Sequence, residues 1–205
     1  MKALIIVDIQ NDFLPGGPLG VPEGDQVIPV ANAVQPYFDL IVATQDWHPA
    51  DHGSFAANHE GQTPGQVIDL NGLEQILWPV HCVQGSPGAD FAPELDTSRW
   101  NKTFPKGTDS SIDSYSGFYD NGHRKSTGLT DYLKEQGVTE VYILGLAADY
   151  CVKFTALDAQ QEGFTTYLIT DGTRGVNLQP GDTNLALREM VASGVLLTNS
   201  ETIAG

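Results

Sequence analysis

Basic residues are scarce in this chain of 205 residues. It has 10 Lys and Arg against 26 Asp and Glu, which gives a formal net charge of −16 at pH 7. A surface with so few cations repels nucleic-acid phosphates and anionic lipid headgroups. We therefore expect neither nucleic acid nor a membrane surface among its partners.

Cysteines and long apolar segments are also scarce. The chain has two cysteines, and no apolar run approaches the roughly 20 residues that span a bilayer. Met1 and Lys2 lead directly into an apolar strand, without the charged and apolar regions of a signal peptide. Two cysteines without an export signal indicate reduced thiols rather than a disulfide. These absences predict a soluble, cytoplasmic protein.

Repeats and low-complexity segments are absent as well, and the chain alternates predicted strands with predicted helices. Strands are predicted at residues 3–8, 40–44, 99–104, 141–144, 166–170 and 195–198. Helices are predicted at 26–37 with Asp25 as cap, between 127 and 137, and at 150–162 and 183–193. This alternation is typical of a three-layer α/β/α fold with a mainly parallel sheet of about six strands. The length fits one domain over residues 1–205.

Cys151 is predicted to lie in the first turn of a helix that follows a buried strand and a turn of small residues. Peptide N–H groups at the start of a helix are unpaired, and the helix dipole is positive there. Both effects favour a thiolate, and the same N–H groups suit an oxyanion. The alternative is that Cys151 is a small buried apolar residue, as most single cysteines are.

Two charged residues also follow predicted strands, at the sheet edge where α/β proteins place their sites. Asp8 ends the first strand and is either a base or a capping residue held by loop N–H groups. Lys106 follows the third strand and is either a surface charge or a cation that lowers the thiol pKa. Together, Asp8, Lys106 and Cys151 would supply a base, a cation and a nucleophile.

Residues 47–93 are rich in Gly, Pro, Asn and His and are too long for a simple connection, which indicates a functional segment. Asp46 and His48 lie two residues apart, so their side chains point to the same side of an extended chain. His81 completes a set of one carboxylate and two imidazoles that suits Zn, Fe(II) or Mn with open positions. Surface histidines are the alternative, and His52 is either a further ligand or the holder of a bound water.

The chain resembles the cysteine amidohydrolases of the isochorismatase-like family, and among them the nicotinamidases, also called pyrazinamidases. The resemblance rests on motifs that occur in the family's order over nearly the whole chain. They are residues 8–13 (DIQNDF), 44–49 (TQDWHP), 78–82 (WPVHC), 104–107 (FPKG) and 149–152 (DYCV). Each motif is modest alone, and the ordered set is specific.

The resemblance implies roles for individual residues. The implied catalytic triad is Asp8, Lys106 and Cys151. The implied ligands of one divalent metal ion, with zinc expected first and iron or manganese as alternatives, are Asp46, His48 and His81. A cis peptide between Leu146 and Ala147 is also implied, and it would aim the N–H groups of Ala147 and Cys151 at the oxyanion. The positions matching the family's nicotinamide ring pocket are Phe13, Trp78 and Tyr115.

The sequence departs from some family members at two places. The stretch from Lys106 to Tyr115 is slightly longer than in some nicotinamidases, and Tyr150 stands where some members have histidine. The implied activity is hydrolysis of nicotinamide to nicotinate and ammonia through a cysteine thioester, with pyrazinamide as a further substrate. The alternatives are another amidohydrolase of the family that acts on a carbamoyl or ureido substrate, a vinyl-ether hydrolase, and a binding module without chemistry. The small-molecule substrate is the expected partner, and a homo-oligomer stays open.

Overall fold

A computed structural model describes residues 1–205. Its eight strands are β1 (Lys2–Val7), β2 (Leu40–Asp46), β3 (Val67–Leu70), β4 (Leu73–Ile76), β5 (Lys102–Lys106), β6 (Glu140–Leu146), β7 (Thr165–Arg174) and β8 (Leu196–Thr198). Its five α-helices are α1 (Val27–Val34), α2 (Leu129–Glu135), α3 (Cys151–Gln161), α4 (Asp182–Ala192) and α5 (Ser200–Ala204). None of these helices has the length and hydrophobicity that crossing a bilayer requires.

The central sheet contains six strands in the order β5-β2-β1-β6-β7-β8, and all neighbouring strands are parallel. Because successive side chains of a strand point to opposite faces, both faces of the central β1 are covered. Ile5 packs in one apolar cluster with residues of α2, α3 and α4, and Leu4 packs in a second cluster with residues of α1. The predicted three-layer α/β/α fold on a mainly parallel six-stranded sheet is confirmed.

The helix predicted over 26–37 is shorter in the structure. α1 ends at Val34, and residues Gln35–Tyr37 form a 3₁₀ turn that contains Pro36. Proline has no N–H for the helical ladder, which explains the early end. The predicted cap at Asp25 is wrong, because no side chain caps the N-terminus of α1.

Neither α5 nor the antiparallel hairpin formed by β3 and β4 within residues 47–93 was predicted from the sequence. Its two-residue turn is Asn71-Gly72, and both residues have positive φ, 54° and 85°. An Asn-Gly pair is the usual sequence of a tight hairpin turn with positive φ at both positions. The signal was therefore present in the sequence.

The parallel sheet brings the ends of its strands to one edge. Asp46, the last residue of β2, is the register partner of Lys106, the last residue of β5. Asp8 follows β1 directly, and a short turn separates the end of β6 from Cys151. The fold therefore places the charged residues and the thiol at the carboxyl edge of the sheet, where α/β proteins bind ligands.

Candidate active site

Lys106 lies at the centre of the charged cluster and is fully buried. Its Nζ lies 2.8 Å from Asp8 Oδ2 and 3.3 Å from Cys151 Sγ. It also forms an ion pair with Asp46 and donates to the carbonyl of Ser114 at 2.9 Å. The interpretation of Lys106 as a surface charge is therefore wrong, since the ammonium joins two carboxylates and the thiol.

The position and the charge of the Asp8 carboxylate are those that a general base requires. Asp8 has a φ of 48°, an uncommon conformation for a residue other than glycine, and it is completely buried. Thr44 Oγ1 donates to Oδ1 at 2.6 Å, whereas no backbone N–H donates to this carboxylate, which excludes the capping interpretation. Burial raises the pKa of Asp8 to about 6 and outweighs the attraction of Lys106. Most Asp8 side chains are therefore ionised at pH 7.

Cys151 is the first residue of α3, so it lies in the first turn of a helix as predicted, and it is buried. The expectation that its thiol has a lowered pKa is wrong. Burial raises the pKa of Cys151 well above its ordinary value, and the nearby Lys106 offsets this effect only in part. The resting residue is thus a thiol, and it needs a neighbouring base to become a nucleophile.

Two backbone N–H groups next to the thiol have no acceptor in the protein. The peptide between Leu146 and Ala147 is cis. The N–H of Ala148 donates to Arg174, and the N–H of Val152 donates to the carbonyl of Ala147, but those of Ala147 and Cys151 donate to no protein group. Such free donors at the start of a helix can bind an anionic oxygen.

Asp46, His48 and His81 offer ligand atoms that lie within 4.8 Å of one another, and all three residues are buried. His48 Nδ1 lies 2.8 Å from the carbonyl of Gly107, and His81 Nδ1 lies 2.7 Å from that of Pro79. A carbonyl only accepts, so both Nδ1 atoms carry protons. The two Nε2 atoms then face Asp46 Oδ2, at 3.4 Å and 3.8 Å.

The charges of this set favour a cation between its members. Burial opposes the ionisation of Asp46, but Lys106 and His48 hold its pKa well below the usual range. Burial also opposes a charged His48, yet Asp46 raises the pKa of that ring. Burial and the nearby His48 lower the pKa of His81 to about 4, which keeps its imidazole neutral at pH 7. A neutral imidazole is the form that binds metals.

A cleft opens next to Cys151. Its lining includes all three residues that were assigned to a ring pocket, Phe13, Trp78 and Tyr115, together with Tyr150. Trp78 Nε1 donates to Tyr115 Oη at 3.2 Å, which fixes the two rings edge to face. The cleft therefore has aromatic walls beside the Cys151 thiol, which suits a small aromatic amide.

 The lining of this cleft also contains the side chains of Asp46, His81 and Cys151.

Several residues that hold this site were not predicted from the sequence. Asp113 is buried in the cleft lining, and its Oδ2 accepts a hydrogen bond from Gln75 Nε2 at 3.0 Å. Gln10 donates to the carbonyl of Asp46 and accepts from its N–H, each at 2.8 Å. Asp113 stands two residues before Tyr115, but nothing in the local pattern marks it as buried.

Comparisons with known proteins agree with this architecture. A family model described as "Isochorismatase domain" matches residues 2–202. The nicotinamidase of Escherichia coli (strain K12) is 50% identical over 202 residues, which cover 96% of this chain and 93% of that protein.

Two solved structures are similar over almost the whole chain. The nicotinamidase and pyrazinamidase of Acinetobacter baumannii has a TM-score of 0.96 and 44% identity, covering 98% of this chain and 97% of that one. The pyrazinamidase of Pyrococcus horikoshii in complex with zinc has a TM-score of 0.79 and 40% identity, covering 97% and 98%. On the family model and these full-length similarities, the chain belongs to the isochorismatase family.

Proposed function

We propose that this protein is a nicotinamidase, which hydrolyses the carboxamide of nicotinamide to nicotinate and ammonia and also accepts pyrazinamide. The observation that carries the proposal is that Cys151 lines an aromatic cleft and contacts Lys106, which also forms an ion pair with Asp8. The similar proteins of known activity support the same reaction.

In the first half of the reaction, Asp8 takes the proton of the Cys151 thiol while sulfur attacks the carboxamide carbon. The carbonyl oxygen becomes anionic and accepts hydrogen bonds from the N–H groups of Ala147 and Cys151, each typically contributing about 3 kcal/mol. The C–N bond then breaks, and the leaving nitrogen takes the proton from Asp8. Ammonia and a thioester on Cys151 result.

In the second half, Asp8 takes a proton from water as its oxygen attacks the thioester carbon. The C–S bond breaks, the sulfur recovers the proton from Asp8, and nicotinate leaves. Lys106 stays protonated throughout, because Asp46 and Asp8 raise its pKa well above the ordinary value although burial opposes its charge. Its charge stabilises the anions on Asp8 and sulfur as the proton moves between them.

We also propose that Asp46, His48 and His81 hold one divalent metal ion, with zinc as the first choice. The donor set fits such an ion, because two imidazole nitrogens and one carboxylate oxygen converge on one point. A related pyrazinamidase crystallised with zinc supports that choice. A cation there would bind the ring nitrogen of the substrate and so orient its carboxamide toward the thiol.

Ammonia release tests the proposed function. Purified protein of known zinc content should release ammonia from nicotinamide, and an N-carbamoyl amino acid should be a much poorer substrate. The aromatic walls of the cleft, Phe13, Trp78 and Tyr115, match a planar ring rather than a flexible acid. Faster release from the carbamoyl compound would overturn the proposal.

A further inference from the structure

His52 is buried beside the proposed metal ligands, and its hydrogen bonds define where its proton lies. The backbone N–H of Ser54 donates to His52 Nδ1 at 3.2 Å, and the Ser54 hydroxyl lies 2.7 Å from the same atom. A ring nitrogen that accepts from a backbone N–H carries no proton. The proton of His52 is therefore on Nε2.

The Nε2–H group of His52 has no hydrogen-bond partner in the protein. Burial and the nearby His48 lower the pKa of His52, and the carboxylate of Asp113 opposes this effect. A buried N–H group without an acceptor is costly, so most such groups bind an ordered water. A water molecule is the simplest acceptor for this one.

Distances separate His52 from the proposed ligands. Donor atoms bound to one zinc ion at about 2.1 Å lie no more than roughly 4.2 Å apart. Asp46, His48 and His81 form one group with ligand atoms within 4.8 Å of one another, and His52 is not a member of it. His52 forms a different group within that distance, with His48 and Asp113.

The carboxylate of Asp113 can accept a further hydrogen bond, whereas His52 has a free donor. Its Oδ1 accepts from the N–H of Ser114 at 2.8 Å and its Oδ2 from Gln75 at 3.0 Å, which leaves further lone pairs. Two hydrogen bonds of about 2.8 Å through one water join groups that are roughly 4.5 Å apart. His52 and Asp113 offer atoms within 4.8 Å of each other, a separation that one shared water can span.

We propose that His52 is not a metal ligand in this protein, but holds a water molecule together with Asp113 beside the metal site. His52 Nε2–H donates to the water oxygen, and the water donates to Asp113. The second lone pair of the water oxygen can complete the coordination of the metal, so both residues position that ligand. This inference rests on the metal site of the proposed function, and it does not depend on which amide is hydrolysed.

X-ray absorption at the zinc edge tests the inference without an activity measurement. In zinc-loaded wild-type protein, the outer-shell scattering should count two imidazole rings, and His52→Ala should still show two. Three rings in the wild type that fall to two in His52→Ala would overturn the proposal. Failure of the wild type to bind one zinc ion per chain would overturn it as well.

Zinc affinity gives a second test, with His81→Ala as the matched control for loss of a ligand. Loss of a group that holds a metal-bound water typically weakens binding by about 10- to 100-fold. We expect that range for His52→Ala, recovery with His52→Gln, which restores an N–H donor, and loss of stoichiometric binding in His81→Ala. Unchanged affinity in His52→Ala, or a loss as large as in His81→Ala, would contradict the inference. Because zinc alone is the probe, failure of nicotinamide hydrolysis would refute the proposed function and leave this result intact.

Discussion

The pH dependence of kcat/KM tests the role of Asp8 most quantitatively. A base must be ionised to take a proton, so activity should be present above the pKa of Asp8 and lost as the pH falls through it. Burial raises that pKa to about 6. At pH 5 roughly one tenth of the side chains would remain ionised, so kcat/KM should be about tenfold below its plateau. An aspartate with the ordinary value of 3.8 would keep almost full activity at pH 5.

The assay is ammonia release from nicotinamide between pH 4.5 and 8, with zinc content measured at every pH so that metal loss is not mistaken for titration. Thr44→Val is the matched variant, because the Thr44 hydroxyl lowers the pKa of Asp8 and its removal should move the acid limb to higher pH. An acid limb near pH 4 in the wild type, or an unchanged limb in Thr44→Val, would refute the reasoning.

Three further predictions concern the Lys106 ammonium, the Cys82 thiol and the proposed metal. Lys106→Ala leaves two buried carboxylates unpaired, so urea unfolding should show a loss of about 3–5 kcal/mol; wild-type stability would contradict the ion-pair network. Cys82→Ala should keep most activity, because the only hydrogen bond of this thiol goes to the carbonyl of Gly88, at 3.9 Å; inactivation would contradict that assignment. Benzamide lacks the ring nitrogen and should be a far poorer substrate than nicotinamide. His48→Ala should abolish both zinc binding and this preference. Equal kcat/KM for the two amides on zinc-loaded enzyme would rule out a role of the metal in positioning the ring.

The fold could be predicted because local patterns decide it. An apolar run such as residues 3–7 has no polar face, so it has to be buried on both sides in a parallel sheet. The hairpin of β3 and β4 was missed although Asn71-Gly72 indicates a tight turn, because its strands are short and half exposed. Their burial depends on the loop around them rather than on their own sequence.

The meeting of the candidate residues could be predicted from the strand ends that carry them, whereas contacts between residues distant in the sequence were missed. Asp8 and Cys151 follow strands and Lys106 ends one, and a parallel sheet brings such positions together. Asp113 meets Gln75 across 38 residues, a pairing that no local pattern encodes. The predicted lowering of the Cys151 pKa was also wrong. The position at the start of a helix favours the thiolate, but burial favours the thiol, and the sequence does not specify burial.

The most direct test of the central claim is ammonia and nicotinate release from nicotinamide by zinc-loaded wild-type protein and by Cys151→Ala. The wild type should release the two products in equal amounts, and a quenched reaction should contain a nicotinoyl thioester on Cys151. Cys151→Ala should keep its fold, as judged by thermal unfolding, and lose turnover. Near-normal turnover by a folded Cys151→Ala protein would contradict the account.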